Sequence, residues 1–305
     1  MKPRVCAVVV TFNRKTLLRE CLKSLQNQTR AVEMILVVDN ASTDGTLELL
    51  RAEFPDVEVL ELKRNSGGAG GFYAGMKRAF EQKFDWIWLM DDDGTPAPDC
   101  LERLLAHQTE AIAEVLAPIQ RDSSGRNYGI GVWNRFYVDV TAEVIEAERD
   151  SRGAYLFAFV GPLISREVVA QIGLPRREFF IWFDDYEYGL RLQSKLGARV
   201  QVVPDAIFHH DIGGKTREVS LLGKKSLRNE SPAWKTYYGT RNNLWTLLRT
   251  RRSGREIGWF LVREMWLLIS DIVHERDRFR RVGLRLRGAC DGFLGRMGKR
   301  VKPSM

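Results

Sequence analysis

Cysteine is scarce in this chain and never spaced as a metal cluster or a disulfide framework requires. The four residues, Cys6, Cys21, Cys100 and Cys290, stand far apart, so neither is expected. Cys6 lies inside an apolar run and reads as a small hydrophobe. No run of about 18 uncharged apolar residues occurs, so no membrane-spanning helix is expected. The start, Met1-Lys2-Pro3-Arg4, lacks an apolar signal core; secretion is not indicated and a reducing cytoplasm fits. No Gly-Lys-Ser/Thr follows the glycine-rich tract, which excludes a Walker loop. No Ser or Cys nucleophile constellation, internal repeat or low-complexity tract is visible.

What is present fits one large α/β domain, or a domain with an appendage: 305 residues, 44% hydrophobic and 28% charged. The net charge of +8 is unevenly placed. Residues 212–305 hold 22 Lys/Arg against 8 Asp/Glu, a net +14, whereas residues 1–211 hold 25 against 31, a net −6. Such asymmetry predicts a basic region that meets an anionic surface, with nucleic acid and anionic lipid as the candidates. The boundary is expected near residue 211, between an α/β region (1–211) and a basic helical region (212–305).

The organising stretch is Trp86-Ile87-Trp88-Leu89-Met90-Asp91-Asp92-Asp93-Gly94. An apolar strand that ends in three carboxylates concentrates like charge and loses solvation. A divalent cation held by oxygen ligands and shared with substrate phosphates relieves both; a solvated acidic turn after an edge strand is the alternative. Earlier, residues 5–10 and 34–38 read as buried strands, ending in Thr11-Phe12-Asn13-Arg14 and Asp39-Asn40-Ala41-Ser42-Thr43-Asp44-Gly45. Helical patterns separate them, and residues 57–62 read as a third strand. Alternating strands and helices at this spacing predict a mainly parallel sheet. Ligands bind at the carboxyl ends of such strands, where Thr11, Asp39 and Asp91 to Asp93 all fall. The tract Asn65-Ser66-Gly67-Gly68-Ala69-Gly70-Gly71 could cradle phosphate or simply allow close helix packing.

Further on, a strand over 115–119, a possible hairpin strand at Trp133-Asn134-Arg135-Phe136-Tyr137-Val138 and an apolar strand over 155–163 are expected. A second chemical stretch follows, Trp182-Phe183-Asp184-Asp185-Tyr186-Glu187. Acids in a first helical turn can be caps, but aromatics beside a carboxylate also raise its pKa and suit a general base. His209 and His210 follow a short strand over 200–203; either imidazole could be structural or meet a metal. Residues 212–231 read as a mobile loop, and residues 234–248 and 255–274 as helices. In the second helix, polar residues at 255/256, 263/264 and 270/271 leave a wide apolar face with Trp259, Phe260, Trp266, Leu267 and Ile269. Packing on the catalytic domain is the favoured reading of that face. The other is docking on anionic membrane helped by Arg276, Arg278, Arg280, Arg281, Arg285 and Arg287.

These motifs, in this order, resemble the family 2 inverting glycosyltransferases with the GT-A fold, over roughly residues 4–250. Asn65 to Phe72, Trp182 to Arg191 and Ala206 to His209 are most similar to bacterial galactofuranosyltransferases and related rhamnosyltransferases of cell-wall glycan assembly. The resemblance implies a catalytic domain over 1–211, with nucleotide-sugar binding over about 1–120 and acceptor and base over about 121–211, a UDP- or dTDP-sugar donor and Mn²⁺ or Mg²⁺. Thr11, Asn13, Arg14, Asp39, Asn65, Gly70 and Asp92 would hold the donor, and Arg241 and Asn242 would lie near the diphosphate or acceptor. Asp91, Asp93 and His209 would ligate the metal, His210 being the lesser choice. Asp185 would be the catalytic base, with Asp184 and Glu187 orienting the acceptor, a probably lipid-linked glycan. The expected location is the inner face of the cell membrane, peripherally; an oligomer is possible. The chain is shorter than the large polymerising enzymes, which favours transfer of one or two residues. A non-catalytic nucleotide-sugar or glycan binder is the rival class, though it would need no base. A nucleic-acid binder is the weaker rival, because the C-terminal aromatics sit at helical spacing and not as a stacking platform.

Overall fold

The computed structural model describes residues 2–108, 114–128, 157–197, 200–211, 216–221, 224–250 and 254–304. The chain forms two compact units. Unit 1 comprises Met1–Arg177 and Asp185–Asp211; unit 2 comprises Glu178–Asp184 and Ile212–Met305. The short insertion of Glu178–Asp184 into unit 2 differs from a single boundary after residue 211.

In unit 1, strands β1 (Val5–Thr11), β2 (Met34–Asp39), β3 (Glu58–Glu61) and β4 (Trp86–Asp91) are all parallel, in the order β3-β2-β1-β4. The chain winds outward from β1 through β2 to β3, then returns to place β4 on the other side of β1. That reversal opens a crevice at the carboxyl ends of β1 and β4. Beyond β4 the sheet continues through β8 (Leu163–Ser165), β6 (Val115–Arg121), β9 (Val200–His209) and β5 (Thr95–Pro96), with β7 (Asn127–Tyr128) beside β6. β8 is antiparallel to both β4 and β6, and β9 is parallel to β6.

Period-2 alternation divides the β-branched strands between two cores. Cys6, Val8 and Val10 point to one face with Phe72 and Met76 of α3 (Gly67–Glu81), Val168 of α5 (Arg166–Ile172) and Tyr188 of α6 (Asp184–Leu196). Val5, Ala7 and Val9 point to the other, with Leu18 and Leu22 of α1 (Lys15–Gln26), Leu49 of α2 (Thr46–Glu53) and Leu101 of α4 (Cys100–Ala106). Both faces are covered, which is why these strands read as unbroken apolar runs.

Three expectations change. Residues 157–162 are irregular and the strand begins only at Leu163; Gly161 is left-handed at φ 83 and carries the turn. β9 runs to His209 through Pro204, across a register shift opposite Pro118/Ile119. The segment read as a loop contains an antiparallel hairpin, β10 (Thr216–Leu221) and β11 (Lys224–Asn229). The tract from Trp133 to Val138 lies outside the described residues.

Unit 2 holds that hairpin, α7 (Ala233–Arg249), α8 (Gly254–His274) and α9 (Arg278–Leu294). Its apolar core is small: Phe180, Trp234, Tyr237 and Tyr238. α9 lies against α7 through glycine, since a Cβ on Gly288 would come within 2.5 Å of the Tyr237 carbonyl oxygen. Several charged side chains are buried as well, among them Arg241, Asp271, Arg281, Arg285 and Asp291. Asp271 is fully buried and receives Arg228 and both Nε (3.0 Å) and Nη2 (2.8 Å) of Arg285. Arg285 also reaches Glu264 at 2.7 Å, and Glu275 pairs with Arg217 (2.7 Å) and Arg228 (2.8 Å).

Candidate active site

The loops after β1 and β2 carry two residues in left-handed backbone, Asn13 (φ 54) and Ala41 (φ 65). Such conformations persist where the surroundings over-determine them, and here the loops are tied together. The Asn13 backbone N–H donates to Ser42 Oγ at 2.9 Å, and Asn13 Oδ1 accepts the Thr43 N–H at 2.7 Å. Asp39, 1% exposed, accepts the Ser42 N–H at 3.1 Å. Asn13 is thus a clamp between the two loops, and Asp39 sits at the floor of the crevice.

The acidic turn completes the group. Thr11 Oγ1 donates to Asp92 Oδ2 at 2.7 Å. Arg14 Nη1 lies 3.3 Å from Asp92 Oδ1 and 2.7 Å from Asp93 Oδ2. Burial raises the Asp92 carboxyl, and the Thr11 hydroxyl and Arg14 only partly offset it. Burial also acts to raise Asp93, but His210 and Arg14 overcome it and hold that carboxyl below the usual range. Burial would lower Arg14, yet the neighbouring aspartates hold it up. The turn closes on Gly94, where a Cβ would strike the Phe208 ring at 2.3 Å. This close approach sets the acids beside the end of β9.

Of the two histidines there, His210 is the one that reaches the acids, its Nε2 standing 3.5 Å from Asp93 Oδ1. His209 pairs through its backbone register with Thr95 and is exposed. Asp93 Oδ1 is buried without a hydrogen bond of normal geometry. A buried, under-satisfied carboxylate oxygen beside an imidazole suits a divalent cation that takes oxygen and nitrogen donors. Among the described residues, however, no three His, Cys, Asp and Glu side chains are already gathered as a metal cluster. Asp91, Asp93 and one histidine fit as ligands only with side-chain adjustment.

The glycine tract has a packing role. Gly67 to Gly71 lie inside α3, and a Cβ on Gly71 would meet Val10 Cγ1 at 2.4 Å. Gly70 is buried against Ser66, and Asn65 Oδ1 accepts the Gly67 N–H at 2.8 Å. Asn65 and Gly70, both expected at the donor, make local contacts at the start of α3, while Gly71 brings the helix against β1.

At the start of α6, Asp185 is half-buried and accepts the Tyr186 N–H at 2.7 Å. No ion pair among the described residues neutralises it. Loss of solvation pushes its pKa up to about 6, where a general base operates well near neutral pH. Asp184 is buried beside it in sequence. Glu187 differs from the orienting role expected of it: it is buried between Arg176 (3.1 Å) and Arg191 (2.9 Å), an internal ion pair.

Arg241 and Asn242 also differ from expectation. Both are fully buried in unit 2; Arg241 Nε donates to Asn242 Oδ1 at 2.8 Å, and the other donors reach backbone carbonyls. Arg241 reaches Gly298 (2.6 Å) and Phe179 (2.9 Å), and Asn242 Nδ2 reaches Phe179 (3.0 Å), Ile181 (2.9 Å) and Trp182 (2.8 Å). The segment they hold is strained, with Phe180, Trp182 and Phe183 all left-handed (φ 68, 64 and 67). Neither side chain retains a donor for a diphosphate. The sequence motif Tyr237-Tyr238-Gly239-Thr240-Arg241-Asn242 marked these residues as special without revealing that their partner is a strained turn some sixty residues earlier.

The strand order, the crevice at the reversal and the acidic turn together define a nucleotide-sugar transferase fold of the GT-A type, and the comparisons agree. The sequence model of glycosyl transferase family 2 matches residues 6–170, more than half of the chain. The chain belongs to glycosyl transferase family 2 and is a glycosyltransferase. It is 32% identical over 247 residues to galactofuranosyltransferase GlfT1 of Mycolicibacterium smegmatis, covering 78% of this chain and 81% of that one. It is 25% identical over 305 residues to dTDP-rhamnosyl transferase RfbF of Shigella flexneri, covering 98% of each. The solved mannosyltransferase PcManGT from Pyrobaculum calidifontis, in complex with GDP-Man and Mn²⁺, superposes with a TM-score of 0.57 at 17% identity, covering 96% of this chain and 76% of that one.

Proposed function

We propose that the chain is an inverting, metal-dependent glycosyltransferase. It moves galactofuranose or rhamnose from a UDP- or dTDP-sugar to a hydroxyl of a lipid-linked glycan, at the inner face of a cell membrane, in cell-wall or surface polysaccharide synthesis. The observation that carries this reading is the group formed by Thr11, Arg14, Asp92 and Asp93 at the ends of β1 and β4, where the strand order reverses. The similarity to GlfT1 and RfbF supports the choice of sugar.

Asp91 and Asp93, with His209 or His210, would hold Mn²⁺ or Mg²⁺. The cation supplies positive charge to the departing diphosphate. The same fold in a mannosyltransferase solved with GDP-Man and Mn²⁺ supports a metal here. Asp39 and Thr11 hold the nucleoside, and Arg14 adds a fixed positive charge toward the phosphates. Asp185 accepts the proton of the acceptor hydroxyl as its oxygen attacks the anomeric carbon. The bond from that carbon to the diphosphate breaks in the same displacement, which inverts the configuration, and no covalent enzyme intermediate forms.

The test is transfer from UDP-galactofuranose, UDP-galactopyranose, UDP-glucose and dTDP-rhamnose, with Mn²⁺ or with EDTA, to a lipid-linked acceptor extract. Turnover of one donor, abolished by EDTA, is expected. Undiminished turnover in EDTA would remove the metal. Metal-dependent nucleotide binding without turnover would favour a non-catalytic binder.

A further inference from the structure

Two helices of unit 2, α8 and α9, bury charged side chains and expose large apolar ones, although α8 also buries Phe260. On α9 the inward face carries Arg281, Arg285, Gly288 and Asp291, all buried. The outward face carries Phe279, Leu286 and Phe293, at spacings of seven, which are 82%, 60% and 66% exposed. α8 repeats the pattern. Ser270 and Asp271 are buried, whereas Trp259, Val262 and Met265 are 58%, 62% and 59% exposed, and Ile269 and Ile272 extend the same stripe. Ordinary surface helices do the reverse. Two such faces in one unit are more apolar surface than an isolated water-soluble protein keeps open.

We propose that the outward faces of α8 and α9 are a docking surface for an anionic lipid bilayer, on which both helices lie without crossing it. Neither helix is long and apolar enough to span. Exposed arginines border the stripes: Arg255 and Arg263 on α8, Arg276 after it, and Arg278, Arg280 and Arg287 on α9. Apolar side chains enter the acyl boundary while arginines meet anionic headgroups, the arrangement interfacial helices use. Charge also selects the occupant. A second copy of this unit would bring one arginine-bordered face against another, whereas lipid phosphate complements it. The proposal gives the lipid-linked acceptor read above a place to be met, but its test reads binding and not transfer, so either can fail without the other.

The full chain is sedimented with vesicles of phosphatidylglycerol and phosphatidylcholine, and with phosphatidylcholine alone, at about 0.1 M salt, where surface charges still act. Binding at least tenfold tighter to the anionic vesicles is expected. The pair Phe279→Glu and Phe293→Glu, and separately Val262→Glu and Met265→Glu, should each lose tenfold or more, with circular dichroism and nucleotide binding unchanged. Equal binding to both vesicle types, no binding to either, or full binding by both folded variants would overturn the proposal. So would a concentration-dependent dimer in sedimentation velocity that the same substitutions dissolve, because the face would then belong to a second copy.

Discussion

Unit 1 and unit 2 treat buried charge differently. Unit 1 fills two apolar cores on either face of its sheet; its buried Glu187 is paired with Arg176 and Arg191, but half-buried Asp185 has no ion pair among the described residues. Unit 2 has a small aromatic core and also buries a charge network around Asp271 and Arg285, while large apolar side chains of α8 and α9 stand outside. An unpaired buried carboxylate costs stability and carries reactivity. A fully paired buried network costs less, yet fixes which surfaces meet. The contrast predicts that the same chemical change, an aspartate made neutral, has opposite consequences in the two units.

Asp185→Asn should produce the largest effect. Transfer should fall by about 10²–10⁴-fold, the usual contribution of a general base, with nucleotide binding retained. The wild-type rate should fall as pH drops below about 6, because a protonated Asp185 cannot accept the acceptor's proton. Stability moves the other way. The folded state favours neutral Asp185, so its contribution is greatest below the ordinary carboxylate range and is lost as pH rises through about 6. At pH 8 the variant should therefore be more stable than wild type, by on the order of 2 kcal/mol. Calorimetry across pH 5–8 tests the sign; a variant less stable than wild type at pH 8 would place Asp185 in a structural role.

Asp271→Ala should do the reverse. It removes the carboxylate that Arg228 and Arg285 share, leaving each with one glutamate, Glu275 and Glu264, and should cost about 3 kcal/mol. Replacing Arg228, Asp271 and Arg285 together by apolar residues of similar volume should recover part of that loss: Glu275 keeps Arg217 and Arg281, whereas Glu264 loses Arg285. Denaturant unfolding of the single and triple variants reads this directly, and a triple variant no better than the single would deny the network its role.

Asn242→Asp is smaller but more pointed. The substitution keeps the shape and removes the donor, so an acid would face three carbonyl oxygens. The cost should be about 2–3 kcal/mol and exceed that of Asn242→Ser, which still offers one donor. If instead Asn242→Asp unfolds like wild type while nucleotide affinity falls, the residue contacts the donor after all.

These contrasts also separate what the sequence disclosed from what it hid. β1, β2 and β4 were legible almost to the residue, because each is an unbroken apolar run closed by a local turn. Thr11, Asp39 and the acidic turn were legible as a group because they fall at the ends of consecutive parallel strands. The hairpin of β10 and β11 was not. Its positions alternate, but with Arg217 and Arg228 on the inward side, and their partners Asp271 and Glu275 come more than forty residues later. Glu187, Arg241 and Asn242 were recognisable as unusual, yet a buried polar residue and a ligand-binding one look alike until their partners are known. The apolar face read on α8 is divided in the structure: Phe260 is buried and Trp266 and Leu267 half-buried, while Trp259 and Ile269 stand on an open face with Val262 and Met265.

That open face supplies the smallest and most discriminating prediction. In unit 1, Leu89 is fully buried, and Leu89→Ala should cost about 2–5 kcal/mol through the cavity it leaves. On the outward faces of unit 2, Phe279→Ser or Met265→Ser removes a side chain with few neighbours and should change stability by no more than about 0.5 kcal/mol. Denaturant unfolding compares the two directly. A loss of several kcal/mol from either serine variant would mean that these side chains are covered in solution, and unit 2 would then be built like unit 1. A negligible loss leaves large apolar groups that folding does not require, and such groups persist on a surface only where something other than water meets them.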